Sequence, residues 1–200
     1  NDKQTQLQPI HSIGKFTGKK LFDNYYKTYY NISMTSKFEY PPSRRSMVKG
    51  SRLYEVGDEN LPSVTTILDA MSDKSAIIAW QKRIGMEEAN RQKKEASGLG
   101  TATHKLVENY LLKEESKPKG NLVWQMAEKI SKPIITNLHV HMDELWGVEC
   151  TLFYPGLYAG TSDCVAVYRG EPAILDFKTS KKIKKREWIE NYFLQCNAYA

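Results

Sequence analysis

The sequence predicts a mixed α/β domain in which a small mixed sheet is flanked by helices. Residues 61–144 place apolar side chains at the three- and four-residue spacing of amphipathic helices, whereas residues 146–180 alternate or run apolar over strand lengths. Helical spacing returns from residue 186 to residue 200. Strands that stand between helices are expected to form one sheet whose faces the helices cover.

Residues 1–60 lie outside this pattern. They show little periodicity, and Pro41 and Pro42 exclude a helix around them. We therefore expect an extended or irregular N-terminal arm, with one short strand at Arg52–Val56, followed by a folded domain over residues 61–200.

The helical part begins at Ser63, which has the N-cap position before the apolar run of residues 64–71. One or two helices follow, which we expect to end near Gly98 and Gly100, and another helix covers residues 101–115. A long helix is predicted at Asn121–Glu144, with Pro133 as the point at which it could be interrupted.

Three strand-length segments follow: WGVECTLFY, YAGTSDCVAVYR and EPAILDFKTS. Turn signals at Pro155–Gly156 and Arg169–Gly170 separate them, so they predict an antiparallel meander. The segment REWIENYFLQCNAYA then predicts a final helix.

Composition limits the partners of the chain. The net charge of +6 favours an anionic partner such as nucleic acid, a phosphate-rich substrate or an acidic surface, or else it serves solubility alone. The three cysteines are scattered, which argues against a disulfide framework and against a zinc knuckle. No apolar run reaches transmembrane length, so we expect no membrane association.

Asp176 and Lys178 stand two residues apart in an apolar run, so strand alternation puts both side chains on one face. A buried carboxylate needs a partner, which is either the lysine in a plain salt bridge or a bound cation. Asp163 lies as far before the Arg169–Gly170 turn as Asp176 lies after it, so a hairpin would bring the two aspartates together. Two carboxylates beside a lysine suit a hard divalent cation and the phosphate oxygens that it binds.

His104 faces the same way as Glu108 on its helix, and it is either structural or a third metal ligand.

Several short motifs occur in a fixed order. They are Pro62–Leu68, Trp80–Gly85, Gly100-Thr101-x-x-His104 with Glu108, Gly160-Thr161-x-Asp163, Asp176-x-Lys178-Thr179-Ser180 and Gln195-x-x-x-Tyr199. This combination resembles the PD-(D/E)XK nuclease superfamily, in particular its RecB-type exonuclease branch, which includes mitochondrial genome maintenance exonucleases and phage exonucleases. Ser162 stands where the superfamily name has proline.

The resemblance implies a restriction-endonuclease-like core and a metal-dependent exonuclease that hydrolyses phosphodiester bonds of linear DNA, at single strands or duplex ends. It implies Mg²⁺ or Mn²⁺ as cofactor and a nuclease domain over residues 61–200 that is truncated at its C-terminal end. The implied metal ligands are His104, Asp163, Asp176 and the Phe177 carbonyl. The implied catalytic residues are Asp163, Asp176, Lys178, Glu149 and Gln195. Glu149 could equally be a surface glutamate at a strand edge, and Gln195 and Tyr199 would brace the site or touch the DNA backbone.

Basic residues continue directly after the proposed catalytic strand. We name residues 179–185 the lysine loop and interpret it as a DNA-binding rim or, alternatively, as an ordinary solvated loop; its candidate contacts are Thr179, Ser180, Lys181, Lys182, Lys184 and Lys185. Cations interleaved with tyrosines in the arm suit single-stranded DNA, and they equally suit a packed or disordered arm: Lys19, Lys20, Arg44, Arg45, Lys49, Arg52, Tyr25, Tyr26, Tyr29 and Tyr30.

Two further expectations follow from the sequence. A catalytically inactive nucleic-acid-binding or assembly module on the same fold is the alternative to an enzyme. The first residues lack the Arg-rich, acid-poor character of a mitochondrial transit peptide, so we expect the cytoplasm of a bacterium or a phage-infected host rather than a mitochondrion.

Overall fold

Two small sheets and a set of helices make up the protein in a computed structural model that describes residues 32–116 and 120–200. The strands are β1 (Ser33–Met34), β2 (Ser43–Val48), β3 (Ser51–Val56), β4 (Glu59–Pro62), β5 (Met142–Tyr154), β6 (Tyr158–Tyr168) and β7 (Glu171–Leu175). The helices are α1 (Val64–Met71), α2 (Ser75–Ile84), α3 (Met86–Leu111), α4 (Leu122–His141) and α5 (Glu190–Tyr199), with one 3₁₀ turn at Arg186–Trp188. The prediction of a mixed α/β protein is confirmed.

The larger sheet has the order β1-β5-β6-β7 and is mixed, because β1 runs parallel to β5 while the other pairs are antiparallel. The predicted three-strand meander is therefore confirmed. Its second turn is a two-residue connection, Arg169–Gly170, in which both residues have positive φ (54° and 80°), as the twist of a tight hairpin requires.

The third strand of the meander differs from the prediction. It ends at Leu175, so Asp176 and Lys178 follow the strand rather than lie within it. Its residues are exposed or half-buried, because β7 forms the edge of the sheet and has β6 as its one neighbouring strand in the described part of the chain.

The helix boundaries also correct the predicted ones. Ser63 caps α1 as predicted, accepting a hydrogen bond from the Thr66 N–H at 3.0 Å. Gly98 and Gly100, however, lie inside α3, and the break falls earlier, at Gly85, whose φ is 84°. The long helix α4 continues through Pro133, and residues 142–144 open β5 instead of closing that helix.

The end of the predicted arm is regular structure. Strands β2, β3 and β4 pair in order as an antiparallel sheet, and β3 contains the strand that we expected at Arg52–Val56. Tyr54, Val56 and Leu61 of this small sheet pack against Ala159 of β6. The compact unit therefore spans Ile32–Ala200, and the boundary that we expected at residue 60 moves to residue 32, because long-range burial orders residues that have little periodicity of their own. The arm residues Lys19, Lys20, Tyr25, Tyr26, Tyr29 and Tyr30 lie outside the described residues.

Helix α3 connects the helical layer to the sheet. Ala102 and Leu106 of α3 pack against Ala127 of α4, and the same helix contacts β5. Helix α5 packs against β6, β7 and α1. These contacts place α3 and α5 beside the meander, in which β6 contains Asp163 and the segment after β7 contains Asp176. Among the helices that the structure describes, none has the length and apolar character needed to cross a bilayer.

Candidate active site

Three acidic residues form a row across neighbouring strands of the larger sheet. In the β5–β6 register Val148 pairs with Cys164 and Cys150 with Ser162, which puts Glu149 across from Asp163. The β6–β7 pairing ends at Cys164 and Leu175, and Asp163 and Asp176 are the next residues along the two segments. We call Glu149, Asp163 and Asp176 the acidic row. The hairpin brings the two aspartates to the same end of the β6–β7 pairing, and the charge of Asp163 raises the pKa of Asp176.

Helix α3 adds an imidazole to one end of this row. His104 Nδ1 lies 3.3 Å from Asp163 Oδ1. His104, Glu149 and Asp163 each offer a ligand atom, and these atoms lie within 4.8 Å of one another. Among the described residues, Glu149 belongs to this group and Asp176 does not; the predicted set of metal ligands stays a prediction.

Glu149 reaches this group through an unusual backbone conformation. Its φ is 50°, in the left-handed region, although its neighbours Val148 and Cys150 pair regularly with β6. Such a φ costs a residue with a side chain about 1 kcal/mol or more, and residues of this kind concentrate at functional sites. No residue near Glu149 in the sequence indicates this conformation. The sequence therefore left open whether Glu149 belongs to the site or is a surface glutamate at a strand edge.

Asp176 is held by two other side chains. Its carboxylate is 5% exposed and lies 2.5 Å from Lys178 Nζ. The Gln195 side-chain amide donates to Asp176 Oδ1 at 3.0 Å, and its carbonyl oxygen accepts from Lys178 Nζ at 3.3 Å. Gln195 of α5 therefore contacts both members of the ion pair.

Phe177 supports the ligands through its backbone. Its N–H donates to Asp163 Oδ2 at 2.6 Å, and its carbonyl accepts a hydrogen bond from the His104 imidazole. The carbonyl that we predicted as a metal ligand is therefore a hydrogen-bond partner of His104, and its role as a ligand stays a prediction. A hydrogen bond to one nitrogen of an imidazole sets the orientation of the ring and the protonation of the other nitrogen.

Tyr199 closes the site from behind. Its buried hydroxyl accepts a hydrogen bond from the Gln195 amide at 3.5 Å, and burial raises its pKa to about 12, so it stays protonated. Gly160 makes room for this ring, because a Cβ at that position would lie 2.6 Å from Tyr199 Cζ, and no real Cβ comes that close. The glycine of the Gly160-Thr161-x-Asp163 motif thus has a packing role that spacing alone does not reveal.

The electrostatics of the site are those of crowded acids. Burial raises the pKa of Glu149, and the charges of Asp163 and Glu108 act in the same direction. Burial also raises the pKa of Asp176, while the hydrogen bond and charge of Lys178 oppose that rise. The hydrogen bond to Asp163 is the main cause that raises the pKa of His104. A cation bound here would relieve the repulsion among these carboxylates.

These groups open into one cavity of about 840 Å³. The acidic row, His104, Gln195 and Tyr199 all line it, and its basic lining residues are Arg45, Arg52, Lys105 and Lys178. Arg45 and Arg52 belong to the small sheet. The sequence assigned both to the N-terminal arm and did not predict where they lie relative to the site. Tyr54, which the sequence did not single out, and Thr161 of the Gly160-Thr161-x-Asp163 motif line the same cavity, and their hydroxyl groups lie 3.0 Å apart.

The lysine loop lies outside the lining of this cavity. Ser180 closes a short turn by donating to the Lys182 carbonyl at 2.7 Å, and Thr179 lies beside Gly100 of α3. Lys184 contacts the Tyr192 hydroxyl, and Lys185 lies over the Trp188 ring at 5.5 Å. The lysines of the predicted rim are exposed, and none of them lines this cavity.

No protein-family model and no curated protein sequence matches the chain.

Proposed function

We propose that the protein is a metal-dependent deoxyribonuclease that hydrolyses phosphodiester bonds of linear DNA as an exonuclease, with a restriction-endonuclease-like core. One observation carries the proposal: the group His104–Glu149–Asp163 and the ion pair Asp176–Lys178 open into the same cavity. The resemblance of the ordered motifs to RecB-type exonucleases supports the same reading.

The donor set fits a divalent cation. One imidazole nitrogen and two carboxylate oxygens could hold Mg²⁺ or Mn²⁺ and leave positions for water and phosphate oxygen. When bound, such a metal lowers the pKa of its water and neutralises charge that develops on the phosphate. His104 must give up the proton that it shares with Asp163 before its nitrogen can act as a ligand.

Lys178 provides a positive charge beside this group. Asp176 and Gln195 hold its ammonium at 2.5 Å and 3.3 Å, so its position is fixed before substrate arrives. An ammonium is a compact point charge that binds phosphate oxygens or the attacking water. Its side chain is one-third exposed toward the cavity, so a substrate phosphate can reach it.

The proposed substrate follows from charge and shape. The net charge of +6 favours a polyanion, and four cations line an open cavity whose acidic side is suited to a metal. Linear DNA supplies both the repeated phosphates and the ends that an exonuclease needs.

The test uses end-labelled linear DNA and closed circular DNA, each incubated with Mn²⁺, with Mg²⁺ or with EDTA. We expect metal-dependent loss of label from linear DNA and no degradation of the circle. Asp176→Asn should abolish the loss, whereas Asp58→Asn, in the exposed turn between β3 and β4, should behave as wild type.

Two outcomes would change the proposal. Degradation of the circle would replace exonuclease by endonuclease. No metal-dependent degradation by the wild-type protein, combined with retained DNA binding, would replace the enzyme by the inactive nucleic-acid-binding module.

A further inference from the structure

The small sheet directs two arginines into the cavity. In the β2–β3 register Arg45 pairs with Tyr54 and Met47 with Arg52, so these four side chains share one face of the small sheet. Arg45, Arg52 and Tyr54 of this face line the cavity. Tyr54 joins the face to β6, because its hydroxyl meets Thr161 two residues before Asp163.

Neither guanidinium has a bonded protein partner within residues 32–116 and 120–200. No ion pair or side-chain hydrogen bond joins either group to another described residue, although Arg52 is half-buried. Arg45 is exposed and Arg52 is half-buried, and a guanidinium presents a planar fork of donors that matches phosphate. The charge of Arg45 acts on Glu149 and lowers its pKa, but the described residues hold neither guanidinium in an ion pair, so both groups can bind an anionic ligand.

Arg44 provides the internal contrast. It precedes Arg45 in β2, but strand alternation turns it to the opposite face, where its cross-strand neighbour is Glu55. Arg44 is exposed and does not line the cavity. The two residues therefore have the same chemistry and nearly the same backbone position, yet only one of them faces the acidic row.

We propose that Arg45 and Arg52 bind backbone phosphates of a nucleic-acid strand that passes between the small sheet and the acidic row. Lys178 lies at the row, whereas the arginines belong to the small-sheet wall, so the cavity offers cations for more than one phosphate. A polynucleotide strand meets this requirement, and a single phosphate group does not. The position of the scissile phosphate rests on the proposed function, but the binding contacts do not require cleavage.

The experiment measures binding without turnover. A short fluorescein-labelled single-stranded oligonucleotide is titrated with the full chain in EDTA, and fluorescence anisotropy is recorded over a series of NaCl concentrations. Arg45→Gln and Arg52→Gln should each weaken binding several-fold and reduce the slope of log affinity against log salt by about 0.7, because each removes one phosphate contact to a single strand. Arg44→Gln should retain the wild-type slope.

Two results would overturn the proposal. The first is a wild-type slope in Arg45→Gln and Arg52→Gln, and the second is an equal loss in Arg44→Gln, which would indicate a general effect of charge. Circular dichroism melting checks folding, and if Arg52→Gln unfolds, Arg45→Gln on exposed β2 decides the question. Arginine-dependent binding without any cleavage would refute the proposed function and leave this inference standing, whereas cleavage with unchanged slopes would do the reverse.

Discussion

Lys178 and the lysine loop contain the same side chain in two different settings. Lys178 lies 2.5 Å from a carboxylate that is 5% exposed, and Gln195 fixes both groups. Lys181, Lys182, Lys184 and Lys185 are exposed, and Ile183 among them is 100% exposed. The ammonium of Lys184 contacts Tyr192, and that of Lys185 lies near Trp188 and Glu187.

The two settings suit two different roles of a lysine, which are to act on a reacting phosphate and to attract a polyanion. A group that acts on a reacting phosphate must be held in place, and the acidic row with Lys178 and Gln195 has that rigidity. A group that only draws a polyanion to the surface needs charge and little else. We therefore expect changes in the row to affect cleavage and changes in the loop to affect binding.

The largest effect is expected at the centre of the row. Asp163→Asn removes the carboxylate that faces Glu149 and Asp176 and that contacts His104, so metal binding should be lost and cleavage should fall to the level seen with EDTA. The asparagine still accepts the Phe177 N–H, which keeps the backbone contact. Isothermal titration with Mn²⁺ measures the loss, with Asp58→Asn as control. Unchanged Mn²⁺ affinity would remove Asp163 from the ligand set.

Lys178→Met should lower cleavage by roughly 10²–10³-fold, because it removes one oriented charge near the phosphate. Mn²⁺ affinity should stay close to wild type, since the ammonium is not a ligand. Lys129→Met, at an exposed position of α4, is the matched control. Single-turnover cleavage at saturating DNA separates the chemical step from binding, and a wild-type rate in Lys178→Met would refute the role of this lysine.

The donor set predicts a preference between metals. An imidazole nitrogen among the ligands favours Mn²⁺ over Mg²⁺, so half-maximal cleavage should require roughly ten-fold less Mn²⁺. His104→Asn replaces the imidazole nitrogen with an amide oxygen, so it should reduce the difference between the Mn²⁺ and Mg²⁺ concentrations that give half-maximal cleavage. Equal requirements for the two metals in wild type and variant would show that His104 is not a ligand.

Gly160→Ala tests the support behind the row. The new methyl group would meet the Tyr199 ring, so we expect the free energy of unfolding to fall by about 1–3 kcal/mol and cleavage to fall a few-fold as Gln195 shifts. Gly98→Ala in α3 is the control, because a Cβ at position 98 has no neighbouring atom within 4 Å. Alanine favours a helix over glycine, so this variant should raise the free energy of unfolding by up to about 1 kcal/mol. Urea unfolding measures both values, and equal stability changes would contradict the packing role.

The smallest effect on cleavage is expected in the lysine loop. Changing Lys181, Lys182, Lys184 and Lys185 together to glutamine should weaken binding to all sequences alike and reduce its salt dependence, with little change in cleavage rate at saturating DNA. Anisotropy over a salt series and single-turnover cleavage measure the two quantities. A large fall in the saturated rate would place the loop inside the reaction site.

The sequence predicted features that depend on local order. The Ser63 cap, the meander and the meeting of Asp163 with Asp176 follow from a capping residue, strand alternation and a turn at equal distance from both acids. These signals lie within a few residues of the elements that they define.

Features that depend on distant contacts were not readable from the sequence. The small sheet exists because Tyr54, Val56 and Leu61 find Ala159 a hundred residues further along, and a search for local periodicity does not detect such burial. The exchange of Asp176 for Glu149 in the ligand group depends on Gln195 and on a positive φ, and no residue type in the sequence indicates that φ.

The backbone at Glu149 has a consequence for how this protein would respond to selection. Glycine tolerates a φ of 50° without steric cost and asparagine tolerates it better than glutamate, so both substitutions should make the fold more robust. In a library at position 149 that is screened for heat resistance alone, glycine and asparagine should outrank the natural residue. The same variants should bind Mn²⁺ most weakly. Stability and metal binding therefore favour different residues at position 149.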